Sequence, residues 1–118
     1  MSTYRQVEIV GDGDVAVVHL LDQTLDNRRQ IASAAKGWLT VVAEEHCRNL
    51  LLDCSGVRRL SSDVLSELLL LDRQLRRNKA GMTLCGVSPA IRAMFNVTKL
   101  DRLFEIRDAE TQESMALA

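Results

Sequence analysis

Ser61, Ser62 and Asp63 stand directly ahead of Val64, Leu68, Leu71 and Leu75, an apolar set with helical spacing. Serine and aspartate side chains accept hydrogen bonds from the free N–H groups of a helix's first turn, where the partial positive charge favours anions. The trio therefore reads first as a helix cap. The same place suits a second chemistry. A phosphate on a serine there would bring about −1.5 to −2 charge to a site able to receive it. Ser61 and Ser62 can carry such a group, whereas Asp63 holds one permanent negative charge.

The other reactive residue types form no recognisable machinery. His19 and His46 are the only histidines. One falls on an expected strand and the other at an expected helix end. A nucleophile needs a base within hydrogen-bond reach, and the sequence pairs neither histidine with one, so both read as structural or surface residues. Cys47, Cys54 and Cys85 are odd in number, fit no zinc spacing and lie beside or within apolar runs. They read as buried, reduced thiols. The chain lacks a glycine-rich phosphate loop, a metal-spaced His/Cys set and a Ser/His/Asp arrangement. The reading is accordingly of no enzyme, no cofactor and no metal. A receiver-type phosphoacceptor domain would need an acidic pair after its first strand, an aspartate after its third and a lysine after its last. Asp53 could stand as the acceptor, but Asp12 and Asp14 fall in a hairpin turn and Lys99 precedes the last strand.

These residues must be held by one domain, since the chain has 118 residues, enough to bury a core without disulfides or metals. Apolar residues make up 47% but aromatics only 3%, so the core must be aliphatic. A net charge of −1 creates no strong field for nucleic acid or anionic membranes. The longest apolar run, Leu68–Leu71, is far too short to cross a bilayer. Met1–Arg5 opens no signal peptide. The expected place is the cytoplasm, with neither nucleic acid nor membrane as partner.

The periodicity predicts a strand over Tyr4–Val10, a turn at 11–14, and a second strand over Val15–Leu20, together an antiparallel hairpin. A polar loop over 22–27 leads to a helix from Asn27 to His46, with Ile31, Ala35, Trp38 and Val42 on one stripe. Asn49–Cys54 reads as a strand covered on both faces or central in its sheet. The second helix begins near Ser61 or Ser62 and runs to Asn78. Its C-terminal half carries Arg73, Gln74, Arg76, Arg77 and Lys79, read as a solvated face that suits the dipole. Met82–Gly86 is the next strand. Ser88-Pro89 starts a short helix to Asn96, with Ile91 and Phe95 inward. Leu103–Arg107 is the fifth strand, and Asp108 caps a last helix over about 108–117. The order β-β-α-β-α-β-α-β-α implies an α/β fold. Its sheet should be mixed and four- to five-stranded, an antiparallel opening hairpin and then parallel strands. About four helices should pack mainly on one face, burying Trp38, Leu52, Leu68 and Phe95.

Two stretches carry a family resemblance. Leu51-Leu52-Asp53-Cys54-Ser55-Gly56-Val57-Arg58-Arg59-Leu60-Ser61-Ser62-Asp63-Val64-Leu65 is similar to the strand, Asp-Leu-Ser-Gly-Val turn and helix start of the STAS family. Gly81–Arg92 resembles that family's next strand and short helix, and Lys99–Phe104 the loop into its last strand. The likeness spans nearly the whole chain, with a core over about 4–108, and is densest over 48–108. It implies a single STAS-like domain over 1–118, of the anti-sigma-factor antagonist type found in bacteria. Such proteins bind an anti-sigma factor, often a serine kinase, and so release a sigma factor for transcription. Phosphorylation of the second serine in an Asp-Ser-Ser-Gly-Leu motif switches binding off.

Aligned without a gap from Ser55-Gly56, the first four positions of that motif fall on Ser61, Ser62, Asp63 and Val64, Leu65 matches its leucine, and the regulated position holds Asp63. The neighbouring register would place Ser61 and Ser62 on the serine pair. The resemblance implies a partner surface of Asp26, Ser61, Ser62, Asp63 and Val64. Asp26 is carried from the family's Gly-Glu-Leu-Asp segment, here Gln23-Thr24-Leu25-Asp26. Ser62 is expected at or just before the N-cap. Two versions follow: an antagonist switched through a serine, or a constitutive module in which Asp63 has removed the switch.

Overall fold

The computed structural model describes residues 8–10, 13–99, 102 and 104–107. Within them the chain forms β1 (Glu8–Val10), β2 (Val15–His19), β3 (Thr24–Leu25), α1 (Arg28–Glu44), β4 (Asn49–Asp53) and β5 (Arg59–Leu60), then α2 (Ser62–Arg77), β6 (Gly81–Cys85), α3 (Pro89–Thr98) and β7 (Glu105–Arg107). A five-stranded sheet runs in the order β1-β2-β4-β6-β7. The β1–β2 pair is antiparallel, and the three remaining pairs are parallel. That is the mixed sheet expected from alternating strands and helices.

Three helices lie among the described residues. The fourth, expected over 108–117, falls outside them, as do Tyr4 to Val7 of the first strand, Leu103, and Gly11 and Asp12 of the opening turn. Local chemistry sets the helix starts. Asn27, Ser61 and Ser88 are extended N-caps whose side-chain oxygens accept the amides of Gln30, Val64 and Ile91. α3 runs two residues past the expected end at Asn96 and stops where Lys99 turns left-handed at φ 62°. Likewise β6 begins at Gly81 and ends before Gly86, whose φ of +69° leaves the extended region.

Alternation along the strands separates the two faces of the sheet. Ala16, Val18, Leu50, Leu52, Met82 and Leu84 join the core that takes the buried stripes of all three helices. Val15, Val17, Leu51 and Cys85 form a second cluster on the opposite face. Leu50, Leu51 and Leu52 of central β4 are all fully buried, which accounts for its unbroken apolar run. α2 contributes Val64, Leu65, Leu68, Leu71 and Leu75, each stabilising the fold by about 1.5–3 kcal/mol relative to exposure. Trp38, Leu52, Leu68 and Phe95 are buried as expected.

The sequence reading missed β3 and β5. These two-residue segments pair in parallel as a separate small sheet, too short to show any periodicity. Leu25 and Val57 anchor the two loops in the core beneath them.

Candidate functional site

The β3–β5 pair decides where the expected surface residues stand. The Gln23 carbonyl accepts the amides of Arg58 (2.7 Å) and Arg59 (3.0 Å), and the Leu25 carbonyl accepts that of Ser61 (2.9 Å). Asp26 follows Leu25 directly, so the loop into α1 and the start of α2 share one surface. Asp26, Ser62 and Asp63 are exposed there and Ser61 is half-buried.

Two positions differ from expectation. Ser61 is the N-cap, its Oγ accepting the Val64 amide at 3.2 Å. Ser62 is therefore the first helical residue, one place further in than at or before the cap. Val64 is fully buried, 0% exposed. It fits the buried stripe of α2 and is no part of the exposed surface, because the helix turns position 64 towards the sheet. The surface set is Asp26, Ser61, Ser62 and Asp63.

Arg28 ties the two halves together. Its Nε donates to Glu67 Oε1 at 2.7 Å. Its guanidinium is held above its usual value first by that hydrogen bond, then by the charge of Glu67 and also by that of Asp63. A small hollow where the loop enters α1 is lined by Asp22, Asp26, Asn27 and Gln30.

A second cluster, not foreseen from the sequence, lies at the C-terminal edge of the sheet. His19 and Asp53 are the last residues of adjacent parallel strands and register partners. His19 Nδ1 lies 2.6 Å from Asp53 Oδ2, and His19 Nε2 lies 3.6 Å from Glu8 Oε2 on β1. The Ser55 amide donates to Asp53 Oδ1 at 3.0 Å. Burial alone would push the Asp53 carboxyl up, but the hydrogen bonds from Ser55 and His19 outweigh it and hold it below its ordinary value. An ionised Asp53 can only accept, which assigns His19 Nδ1 as the donor of this bond. Among the described residues, His19 Nε2 faces Glu8 rather than a hydroxyl or thiol. His46, in contrast, is exposed after the end of α1.

The same geometry weighs against a receiver arrangement. The Asp14 carbonyl accepts the amides of Arg48 and Asn49, which puts Asp14 at the opposite end of β4 from Asp53. Lys99 caps α3, and Asp12 lies outside the described residues. The sheet order carries the chain steadily from β2 to β7 with all three described helices on one face. Among the described residues the strand order does not reverse. Among the described residues no three His, Cys, Asp or Glu side chains gather to hold a metal, and no helix is long and apolar enough to cross a membrane.

The three cysteines are buried free thiols. Burial raises all three, with Cys85 pushed up to about 11.

A small sheet joins two loops into one exposed surface over an aliphatic core, on an α/β fold. The STAS domain family model matches residues 6–113, and the chain belongs to that family. Solved structures agree on the fold. An anti-sigma-factor antagonist (STAS) domain protein from Planctomyces limnophilus superposes with a TM-score of 0.76 at 21% identity, covering 100% of this chain and 99% of that one. An anti-sigma factor antagonist from Mycobacterium paratuberculosis gives 0.68 at 25% identity, over 94% and 91%. A sulfate transporter family protein from Wolinella succinogenes gives 0.72 at 17% identity, over 92% and 88%. No curated protein matches the chain in sequence.

Proposed function

We propose that this chain is an anti-sigma-factor antagonist-like regulator that binds an anti-sigma factor, of the serine-kinase type or otherwise, in the bacterial cytoplasm. Its contact surface is Asp26, Ser61, Ser62 and Asp63. The observation that carries the reading is the Ser61–Leu25 backbone bond, which joins two segments far apart in sequence at the place the family resemblance assigns to the partner. The likeness to anti-sigma-factor antagonists in fold supports it. On this reading the protein acts by binding and not by catalysis.

Asp63 favours a constitutive form of the module. It occupies the position of the regulated serine in the ungapped register, cannot take a phosphate, and with a single charge imitates a phosphoserine of about −1.5 to −2 only partly. The test is calorimetric titration against purified anti-sigma factors of the same organism, with the interface mapped by hydrogen exchange. Protection over 22–28 and 58–66 on binding is the expected result. Binding to none of them, or protection confined to the opposite sheet face, overturns the proposal.

A further inference from the structure

We propose that His19 and Asp53 are positioning residues for this surface: their side-chain bond pins the roots of the two loops whose far ends pair as β3 and β5. Assigning a function to the pin rests on the reading above, whereas the mechanical coupling does not.

One carboxylate fastens both loops. Asp53 Oδ2 holds His19, where the chain leaves β2 for residues 20–23. Asp53 Oδ1 accepts the Ser55 amide, which fixes the first turn of residues 54–58. Backbone bonds surround the pin, Leu20 N to Asp53 O at 3.0 Å and Cys54 N to Cys85 O at 2.8 Å. On the far side of the second loop, Gly86 lies so close that a Cβ there would fall 3.0 Å from Ser55 Cβ. Beyond these contacts the loops are largely exposed, with Leu21, Gln23, Thr24, Ser55, Gly56 and Arg58 facing solvent. Only a few core anchors, Leu25 and Val57 among them, and the β3–β5 bonds hold them again before Asp26 and Ser61. Of the charged groups, Asp53 and Glu8 face His19, at 2.6 Å and 3.6 Å. The bond to Asp53 is the short, charge-assisted one and carries the positioning. A displacement at the pin is therefore delivered to the relative placement of Asp26 and Ser61.

The test is solution NMR of the wild type, His19→Leu and His19→Asn, well below their melting temperatures. Leucine keeps bulk without a donor, and asparagine keeps a side-chain N–H near the position of Nδ1. Scalar couplings across hydrogen bonds would be read for Arg58 and Arg59 to Gln23 and for Ser61 to Leu25. The Gly81–Arg48 bond, 2.9 Å at the other end of the sheet, is the internal control. We expect His19→Leu to lose the three loop couplings while keeping the control. Order parameters over 20–26 and 54–61 should fall from about 0.85 to below about 0.6, and His19→Asn should restore both. A variant that merely melts earlier, with couplings and order parameters unchanged, overturns the proposal. No partner enters the measurement, so a failed titration against anti-sigma factors leaves this outcome standing, and the reverse also holds.

Discussion

Arg28, the first residue of α1, meets Glu67 of α2 at 2.7 Å, with Asp63 one turn earlier on the same helix. The start of α2 therefore already holds two carboxylates, offset by one guanidinium. A phosphate on Ser62 would add further negative charge beside Asp63. Two like unit charges about 4 Å apart repel by about 1 kcal/mol in bulk water and about 4 kcal/mol near a protein surface, which opposes the attraction of the helix dipole. Wild-type protein incubated with a cognate kinase and ATP is expected to show no efficient phosphorylation by intact-mass spectrometry. Asp63→Ser should gain a phosphate, provided the kinase tolerates Val64 where the family has glycine. Stoichiometric phosphate on Ser62 of the wild type would contradict the permanent-charge reading.

The two serines should separate cleanly in thermal melts. Ser61 caps α2 through Val64, so Ser61→Ala should cost about 1 kcal/mol. Ser62 is exposed at the first helical position, and Ser62→Ala should stay within about 0.5 kcal/mol of wild type. Equal effects would mean that the cap is misplaced.

Acid titration isolates Asp53. Its folded carboxyl lies below the ordinary value, despite burial, because Ser55 and His19 bond its charged form. The stability this contributes is present above the unfolded carboxyl value of about 3.9 and is lost as pH falls through the lower folded value. Asp53→Asn should therefore flatten the acid limb of Tm against pH below about pH 4. An acid limb as steep as the wild type's would refute the assignment.

Two glycines should respond with opposite signs. Gly86 has a φ of +69°, and an added Cβ would crowd the Ser55 backbone at 3.1 Å. Gly86→Ala should destabilise by at least about 1–2 kcal/mol. Gly37 lies inside α1 with nothing within 4 Å of an added Cβ, so Gly37→Ala should stabilise by about 0.5–1 kcal/mol. Denaturant melts of both variants check the pair.

The thiols should be silent in the native state. Cys47, Cys54 and Cys85 are buried and raised above their ordinary value by that burial. At pH 8 an alkylating reagent should label none of them until the protein is unfolded. Rapid labelling of native protein would show that a thiol is accessible.

The sequence by itself determined what local chemistry and periodicity encode. Alternating elements specified the mixed sheet, apolar stripes specified the buried faces of α1 and α2, and Ser61 and Ser88 marked the helix starts. Position 64 was legible in the same way, since its place in the stripe with Leu68, Leu71 and Leu75 already turned it inward; the family motif had set it on the surface instead. Tertiary structure decided what depends on register and on contacts between distant segments. His19 and Asp53 were each expected one residue before the end of a strand, yet 34 residues separate them, and only the parallel pairing of β2 with β4 makes them neighbours. β3 and β5 are two residues each, so neither has a pattern of its own. They exist because Leu25 and Val57 sink into the core and bring Gln23 within reach of Arg58 and Arg59. The surface assembled there belongs to the fold rather than to any one segment, because the bonds that join its halves depend on loops anchored in the core beneath them.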